Sequence, residues 1–320
     1  MPILDMPLSQ LKTYQGMNPC PADIDEFWDR AIKEMEKLGA GFELKKADFQ
    51  VPHVLCYDMY FTGVGCARIH AKLVRPEKMD QPMPALCYFH GYSERSPDFF
   101  HLLSYVQSGF VVAALDCRGQ GGESEDTSRV KGNTLNGHII RGLYEMDPEK
   151  LLFRDIFLDA AQLARIVMKM PFVDEKRVGA VGGSQGGGLT LACAALTPEL
   201  NSAAPAYPFL CDYKRVWDMD LDCRAYAELR EYFRYFDPLH ERIDDLFLLL
   251  GYIDNQHLAH RIKARILMFT ALLDDVCPPS TQFAAYNRMS CEKQMVIYPD
   301  FGHEALPYCE EKTIAFMRAM

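Results

Sequence analysis

Gly182-Gly183-Ser184-Gln185-Gly186 reads G-x-S-x-G, and its flanks decide the fold. Before it, Arg177-Val178-Gly179-Ala180-Val181 has the make-up of a short buried strand. After it, Gly187 to Leu196 is small and apolar, as a helix pressed against a sheet must be. A serine on a tight strand-to-helix turn is held in a strained, exposed conformation, its hydroxyl above the helix N-terminus. The glycines are needed because backbone segments meet there more closely than most Cβ atoms allow. Alone, the pentapeptide is also compatible with an ordinary glycine-rich turn. The rest of the chain must supply a base, an acid and an oxyanion hole.

Composition narrows the field. The 320 residues are 49% hydrophobic and 24% charged, enough for one large α/β domain or two smaller ones. A net charge of −10, spread along the chain, argues against nucleic acid or an anionic membrane surface as partner. The eleven cysteines are scattered singly, with no C-x-x-C and no Cys/His cluster at zinc spacing, so no metal site and no cofactor is expected. Those in apolar runs, such as Cys87 and Cys193, read as small buried hydrophobes, and a reducing, cytoplasmic compartment follows. Met1-Pro2-Ile3-Leu4-Asp5 lacks the pattern of a signal peptide. No apolar run approaches the ~18 residues of a membrane span.

Residues 22–38 predict an amphipathic helix, with Ile24, Phe27, Trp28, Ala31, Ile32, Met35 and Leu38 on one face and Gly39 as the stop. Val54–Phe61 and Cys66–Val74, joined through Gly63 and Gly65, predict a hairpin. Short apolar runs at Pro84–Phe89, Phe110–Leu115, 202–208, Arg265–Thr270 and Gln294–Tyr298 predict further strands. Helical patterns fall near 98–107, 151–169, 281–289 and from about 309. Residues 116–149 read as a long ordered loop and 211–262 as a mostly helical insertion. The alternation predicts an α/β chain, with a mostly parallel sheet covered by helices on both faces. We expect one domain over 1–320, with an N-terminal arm and helix over 1–40 and the insertion at about 211–262.

In such sheets the chemistry sits at the carboxyl ends of strands. Ser184 fits. The base should be a histidine in a late loop, and His303 follows the last strand in Pro299-Asp300-Phe301-Gly302-His303-Glu304. The acid should lie between, where Asp274 and Asp275 follow the strand 265–270, while Asp300 is a weaker candidate because it shares the histidine loop. One oxyanion donor should be the backbone N–H of Gln185. The other should come from the loop after an early strand, where Tyr92 sits in His90-Gly91-Tyr92-Ser93. His257 and His260 form an H-x-x-H without further ligands, which reads as a solvated face.

Arg118-Gly119-Gln120, Gly182 through Gly187, Asp274-Asp275-Val276-Cys277-Pro278-Pro279-Ser280-Thr281, Phe283 through Asn287 and His303-Glu304 together resemble the cephalosporin C deacetylase and acetyl xylan esterase family, of α/β-hydrolase fold. The resemblance covers nearly the full length. It implies a serine esterase that removes acetyl groups from xylose-based sugars, other small sugar esters and cephalosporin C. Ser184 would be nucleophile, Asp274 the acid, His303 the base, and Tyr92 and Gln185 the oxyanion N–H donors. It also implies a homo-oligomer, a hexamer with sites facing an inner cavity. The Arg118-Gly119-Gln120 trio has no evident chemical step and reads as structural. A broader short-chain carboxylesterase, a peptidase on the same fold, and a catalytically silent binding protein are the alternatives.

Overall fold

The computed structural model describes residues 4–131, 138–221 and 224–320. Nine strands form one sheet: β1 (Phe42–Lys46), β2 (Val54–Thr62), β3 (Arg68–Pro76), β4 (Met83–Phe89), β5 (Val111–Leu115), β6 (Val173–Gly183), β7 (Ser202–Ala206), β8 (Arg265–Ala271) and β9 (Lys293–Tyr298). Their order is β1-β2-β3-β5-β4-β6-β7-β8-β9. The hairpin β2–β3 is antiparallel, as is β3 to β5, and every pairing from β5 through β4 to β9 is parallel. The apolar runs read as strands become the centre of this sheet. All five residues of β5 are buried, as they must be when both faces are covered.

The helices are α1 (Leu8–Leu11), α2 (Ile24–Glu36), α3 (Phe99–Gln107), α4 (Leu152–Met168), α5 (Gln185–Leu196), α6 (Tyr213–Asp218), α7 (Ala227–Phe236), α8 (Ile243–Leu250), α9 (Asn255–Leu258), α10 (Pro279–Arg288) and α11 (Cys309–Met317). Every residue of α5 is buried, which is why it carries no amphipathic pattern. The apolar face of α2 docks through Trp28. Its ring stacks on Phe157 of α4 at 5.7 Å, and its Nε1 donates to the Tyr252 carbonyl at 2.9 Å. The expected insertion supplies α6 to α9, and α9 lies against α5.

Two elements differ from expectation. Strand β1, Phe-Glu-Leu-Lys-Lys, is mostly exposed and charged at the sheet's edge, so it has no apolar alternation to read; its lysines suit an unpaired edge. Strand β6 starts at Val173 rather than 177, because Val173 pairs with Met83 before a register shift. The loop after β5 is ordered by one buried carboxylate. Asp116 accepts from the Ser96 N–H at 2.7 Å, from the Glu123 N–H at 3.0 Å and from His70 Nδ1 at 2.6 Å. Residues 132–137 of the same loop lie outside the described residues.

Strand β4 has β5 on one side and β6 on the other: the chain passes from β4 to β5 in one direction and then crosses back past β4 to β6 in the other. That reversal opens a crevice at the carboxyl ends of β4 and β6.

Candidate active site

The turn from β6 into α5 forces Ser184 to φ 58° and ψ −119°, a conformation that a side chain rarely adopts. The flanking glycines make it possible. A Cβ on Gly186 would stand 2.0 Å from the Phe89 carbonyl oxygen, and one on Gly182 would stand 2.6 Å from the backbone of Gly186. Substitution at either would push β4 and the turn apart.

Three chain segments converge on Ser184. Strand β8 ends in a turn carrying Asp274, which is fully buried. Its Oδ1 accepts from the Val276 N–H at 2.9 Å and the Cys277 N–H at 2.7 Å. Its Oδ2 is thereby left for His303 Nδ1, at 2.9 Å. The ring of His303, on the loop after β9, turns Nε2 toward Ser184 Oγ at 3.0 Å. With Asp274 accepting only, the Nδ1 must carry the proton, so Nε2 presents its lone pair to the serine hydroxyl. Of the acids considered, it is Asp274 that reaches the histidine. Asp274, Cys277 and His303 also place three ligand-type atoms within 4.8 Å of one another. Two of those residues already bond each other, and burial holds the Cys277 thiol well above its usual range, so it keeps its proton.

The two N–H groups anticipated for an oxyanion hole lie at the reversal point. Gln185 opens α5, where the first N–H groups have no partner within the helix. Tyr92 lies on the loop after β4. Among the described residues, neither N–H donates to a protein acceptor. The loop is pinned from several sides. His90 is buried, which lowers its pKa; its Nε2 accepts from the Cys117 N–H at 3.0 Å, so Nδ1–H donates to the Gly91 carbonyl at 2.7 Å. The Tyr92 hydroxyl donates to Glu228, whose other oxygen accepts the Ile139 N–H at 2.9 Å. Burial, and then Glu228, push the Tyr92 phenol far above its usual range.

Some contributors were not legible in the sequence. Glu228 sits inside the helical insertion, and nothing in its surroundings marks it. Gln120 was visible as part of Arg118-Gly119-Gln120, and its side chain bonds that of Gln185. Arg118 does hold carboxylates and a carbonyl: Asp159 through Nε and Nη2, each at 2.7 Å, Asp155 at 3.3 Å and the Val64 oxygen at 3.2 Å. The solvated face expected for His257 and His260 is corrected for the first of them. His260 is exposed and meets Asp25 at 3.0 Å, but His257 is buried against Arg288, which with burial lowers its pKa to about 4. Burial comes from α9 packing beneath α5 and α10, a tertiary fact that a charged local sequence hides.

The cleft over Ser184 has a volume of about 540 Å³, and Tyr88, Tyr92, Tyr105, Tyr207, His303 and Glu310 are among the residues that line it. Burial raises the Tyr207 phenol to about 12, and its ring centroid lies 4.8 Å from that of His303. No helix among the described residues is long and apolar enough to cross a membrane.

Comparison with known proteins gives the family of the chain. The acetyl xylan esterase family model matches residues 1–320. The crystal structure of acetyl xylan esterase 1 from Thermoanaerobacterium sp. JW/SL YS485 superposes with a TM-score of 0.95 at 56% identity, covering 98% of both chains. An acetyl xylan esterase from Paenibacillus sp. R4 superposes with a TM-score of 0.93 at 35% identity, covering 98% of this chain and 99% of that one. An acetyl esterase, Axe7A, of Xylanibacter ruminicola is 25% identical over 292 residues; the match takes in 88% of this chain but only 63% of that longer protein. The chain belongs to the acetyl xylan esterase family of carboxylic ester hydrolases, with an α/β-hydrolase sheet.

Proposed function

We propose that the protein is a serine acetylesterase acting on acetylated xylo-oligosaccharides, other small sugar acetates and cephalosporin C. The observation that supports the reading most directly is the unbroken hydrogen-bond chain from Asp274 through His303 to Ser184 at the floor of an open cleft. Ser184 Oγ attacks the acetyl carbonyl while His303 Nε2 takes its proton. The buried Asp274 carboxylate holds the ring in the tautomer this needs and stabilises the imidazolium that forms. The N–H groups of Gln185 and Tyr92 receive the charge that develops on the carbonyl oxygen. Collapse expels the sugar alkoxide, which takes the proton from His303 and leaves an acetyl-Ser184 ester. Water, deprotonated by the same nitrogen, then releases acetate and restores the serine.

The whole reaction is carried by 1–320 acting as one domain. Unpaired buried thiols at Cys56, Cys87, Cys117, Cys193, Cys211 and Cys277 support a reducing, cytoplasmic setting. A homo-hexamer with sites facing an inner cavity is part of the proposal, and sedimentation velocity giving a monomer would remove that part.

The test is acetate release from a panel of acetylated xylo-oligosaccharides, other sugar acetates, cephalosporin C, longer acyl esters and N-acyl peptides, with fluorophosphonate labelling mapped to Ser184. Labelling elsewhere, or turnover only of amides, would overturn the reading.

A further inference from the structure

Tyr88, Glu94, Tyr105 and Glu310 line both the cleft above Ser184 and a second hollow of about 970 Å³, so the two form one continuous groove. The second part follows α3, with Phe100, His101, Ser104 and Tyr105 along it. At ~1.5 Å per residue, the nine residues of α3 span roughly 13 Å, longer than a single pyranose ring.

The chemistry at the junction is mixed. The rings of Tyr88 and Tyr105 meet edge to face, 6.0 Å between centroids. Neither hydroxyl, nor the Glu310 carboxylate, has a protein hydrogen-bond or ion-pair partner among the described residues. Burial and the nearby acids raise both phenols, so they stay neutral donors. Glu310 is an acceptor only. At the outer end Phe100 is 68% exposed, unusual for a ring that lines a groove. Arg95, the cation at this rim, is engaged with Asp98 at 3.2 Å. An anionic ligand would meet Glu94 and Glu310. A neutral ring with one apolar face and several hydroxyls would stack on the aromatics and bridge phenol to carboxylate.

We infer that this groove is a sugar subsite outside the reacting centre, which holds the unreacted units of an oligosaccharide through Phe100, Tyr105 and Glu310. The inference rests on the esterase reading above and adds to it. Affinity for the leaving sugar is built along α3, and it rises with chain length.

The experiment uses unacetylated sugars as competitive inhibitors of 4-nitrophenyl acetate hydrolysis. Wild-type protein should bind xylotetraose at least about tenfold more tightly than xylose. Phe100→Ala, at an exposed position, should weaken xylotetraose about fivefold, roughly 1 kcal/mol, and leave xylose nearly unchanged. Tyr105→Phe, which keeps the ring packing, should weaken xylotetraose in the same direction. Each inhibition constant is taken against that variant's own uninhibited rate. Equal affinity for xylotetraose and xylose, or equal loss of both in Phe100→Ala, overturns the subsite and leaves the esterase reading standing. Cleavage of 4-nitrophenyl acetate without acetate release from any acetylated sugar overturns the sugar-acetate part of that reading, whichever way the inhibitors bind.

Discussion

Gln120 and Gln185 exchange two side-chain hydrogen bonds: Gln120 Nε2 donates to Gln185 Oε1 at 2.7 Å, and Gln185 Nε2 donates to Gln120 Oε1 at 3.0 Å. The pair joins the two segments that carry the proposed oxyanion donors. Gln120 Oε1 also accepts the Ser93 N–H at 3.0 Å, next to Tyr92, and Gln185 Nε2 reaches the Gly91 carbonyl at 3.3 Å. The residue whose backbone N–H opens α5 therefore fixes, through its side chain, the loop that offers the other N–H. Gln185→Glu would replace a donor with a carboxylate facing the carbonyls of His90 and Gly91. Displacing a donor by about an ångström can cost on the order of 100-fold in rate. We expect kcat to fall roughly 10- to 100-fold, with KM for 4-nitrophenyl acetate changed far less and the far-ultraviolet circular dichroism unchanged. An equal loss spread over KM would mean the clasp shapes the binding cleft instead.

Asp274→Asn makes a sharper demand. Oδ1 is committed to two backbone donors, so the new amide nitrogen takes the place of Oδ2 and faces His303 Nδ1, donor against donor. The ring is driven to the other tautomer, with no lone pair for Ser184. The loss should approach ~10⁴ in kcat, as for a misoriented base. Asp275→Asn, at the next position but half exposed, should stay within several-fold of wild type. Comparable losses in both would show that the turn, not the carboxylate, matters.

The meeting of Ser184, Asp274 and His303 was legible because each follows a strand, and strand ends are where this topology gathers side chains. Apolar runs marked those strands without ambiguity. Gln120 was half legible: the trio stood out, but its partner lies 65 residues away and nothing in local spacing pairs two amides. Glu228 was invisible, because it meets Tyr92 across 136 residues through a helix whose amphipathic pattern says only which face is buried. Strand β1 was missed because an exposed edge strand is held by backbone bonds to β2, which any sequence can make. His257 misled because its charged neighbours His260 and Arg261 lie in a separate turn, 259–261, where they pair with Asp25, while α9 itself is buried.

The clamp around His70 predicts how stability varies with pH. His70 is buried between Asp116 at 2.6 Å and Asp58 at 3.1 Å, with Glu123 also close enough to act on it. Burial opposes its protonation, but the hydrogen bond and charge of Asp116, with Asp58 and Glu123, win, and its pKa is raised. Asp116 is lowered; burial opposes this, and the bonds from His70, Glu123 and Ser96 outweigh it. A histidine raised in the folded state contributes stability that is complete below its unfolded value of ~6.5 and is lost as pH rises through the folded one. A lowered aspartate contributes stability above ~3.9 that is lost as pH falls through its folded value. The clamp is therefore strongest between about pH 4 and 6.5. Thermal unfolding should show stability declining on the alkaline side of that window. His70→Ala should cost ~3–5 kcal/mol by stranding Asp116 and should flatten the alkaline decline. An unchanged alkaline slope in the variant would assign the decline to other groups.

The acyl side of the cleft should admit little beyond acetate. Tyr92 cannot swing away easily, because Glu228 holds its hydroxyl and Phe209 backs its ring at 5.4 Å. Phe209 itself is buried, so it acts as a stop behind Tyr92 rather than as a wall of the cleft. Tyr207 is fixed from its backbone, at φ 31° with its N–H bonded to the Phe269 carbonyl at 2.8 Å, and its ring lies against His303. With both tyrosines anchored, extra methylenes must be fitted by overpacking, which costs ~1–3 kcal/mol, or about 5- to 150-fold in rate. The alcohol side, under the subsite proposal, would open into the groove along α3 and should meet no such limit. Measured for acetate, butyrate and octanoate esters of one chromogenic alcohol, kcat/KM should fall steeply with chain length. Tyr207→Ala, which removes one wall, should shrink the acetate-to-butyrate ratio even if both rates drop. A wild-type rate that rises with acyl length would favour a general carboxylesterase, and a ratio untouched by Tyr207→Ala would move the limiting wall elsewhere in the cleft.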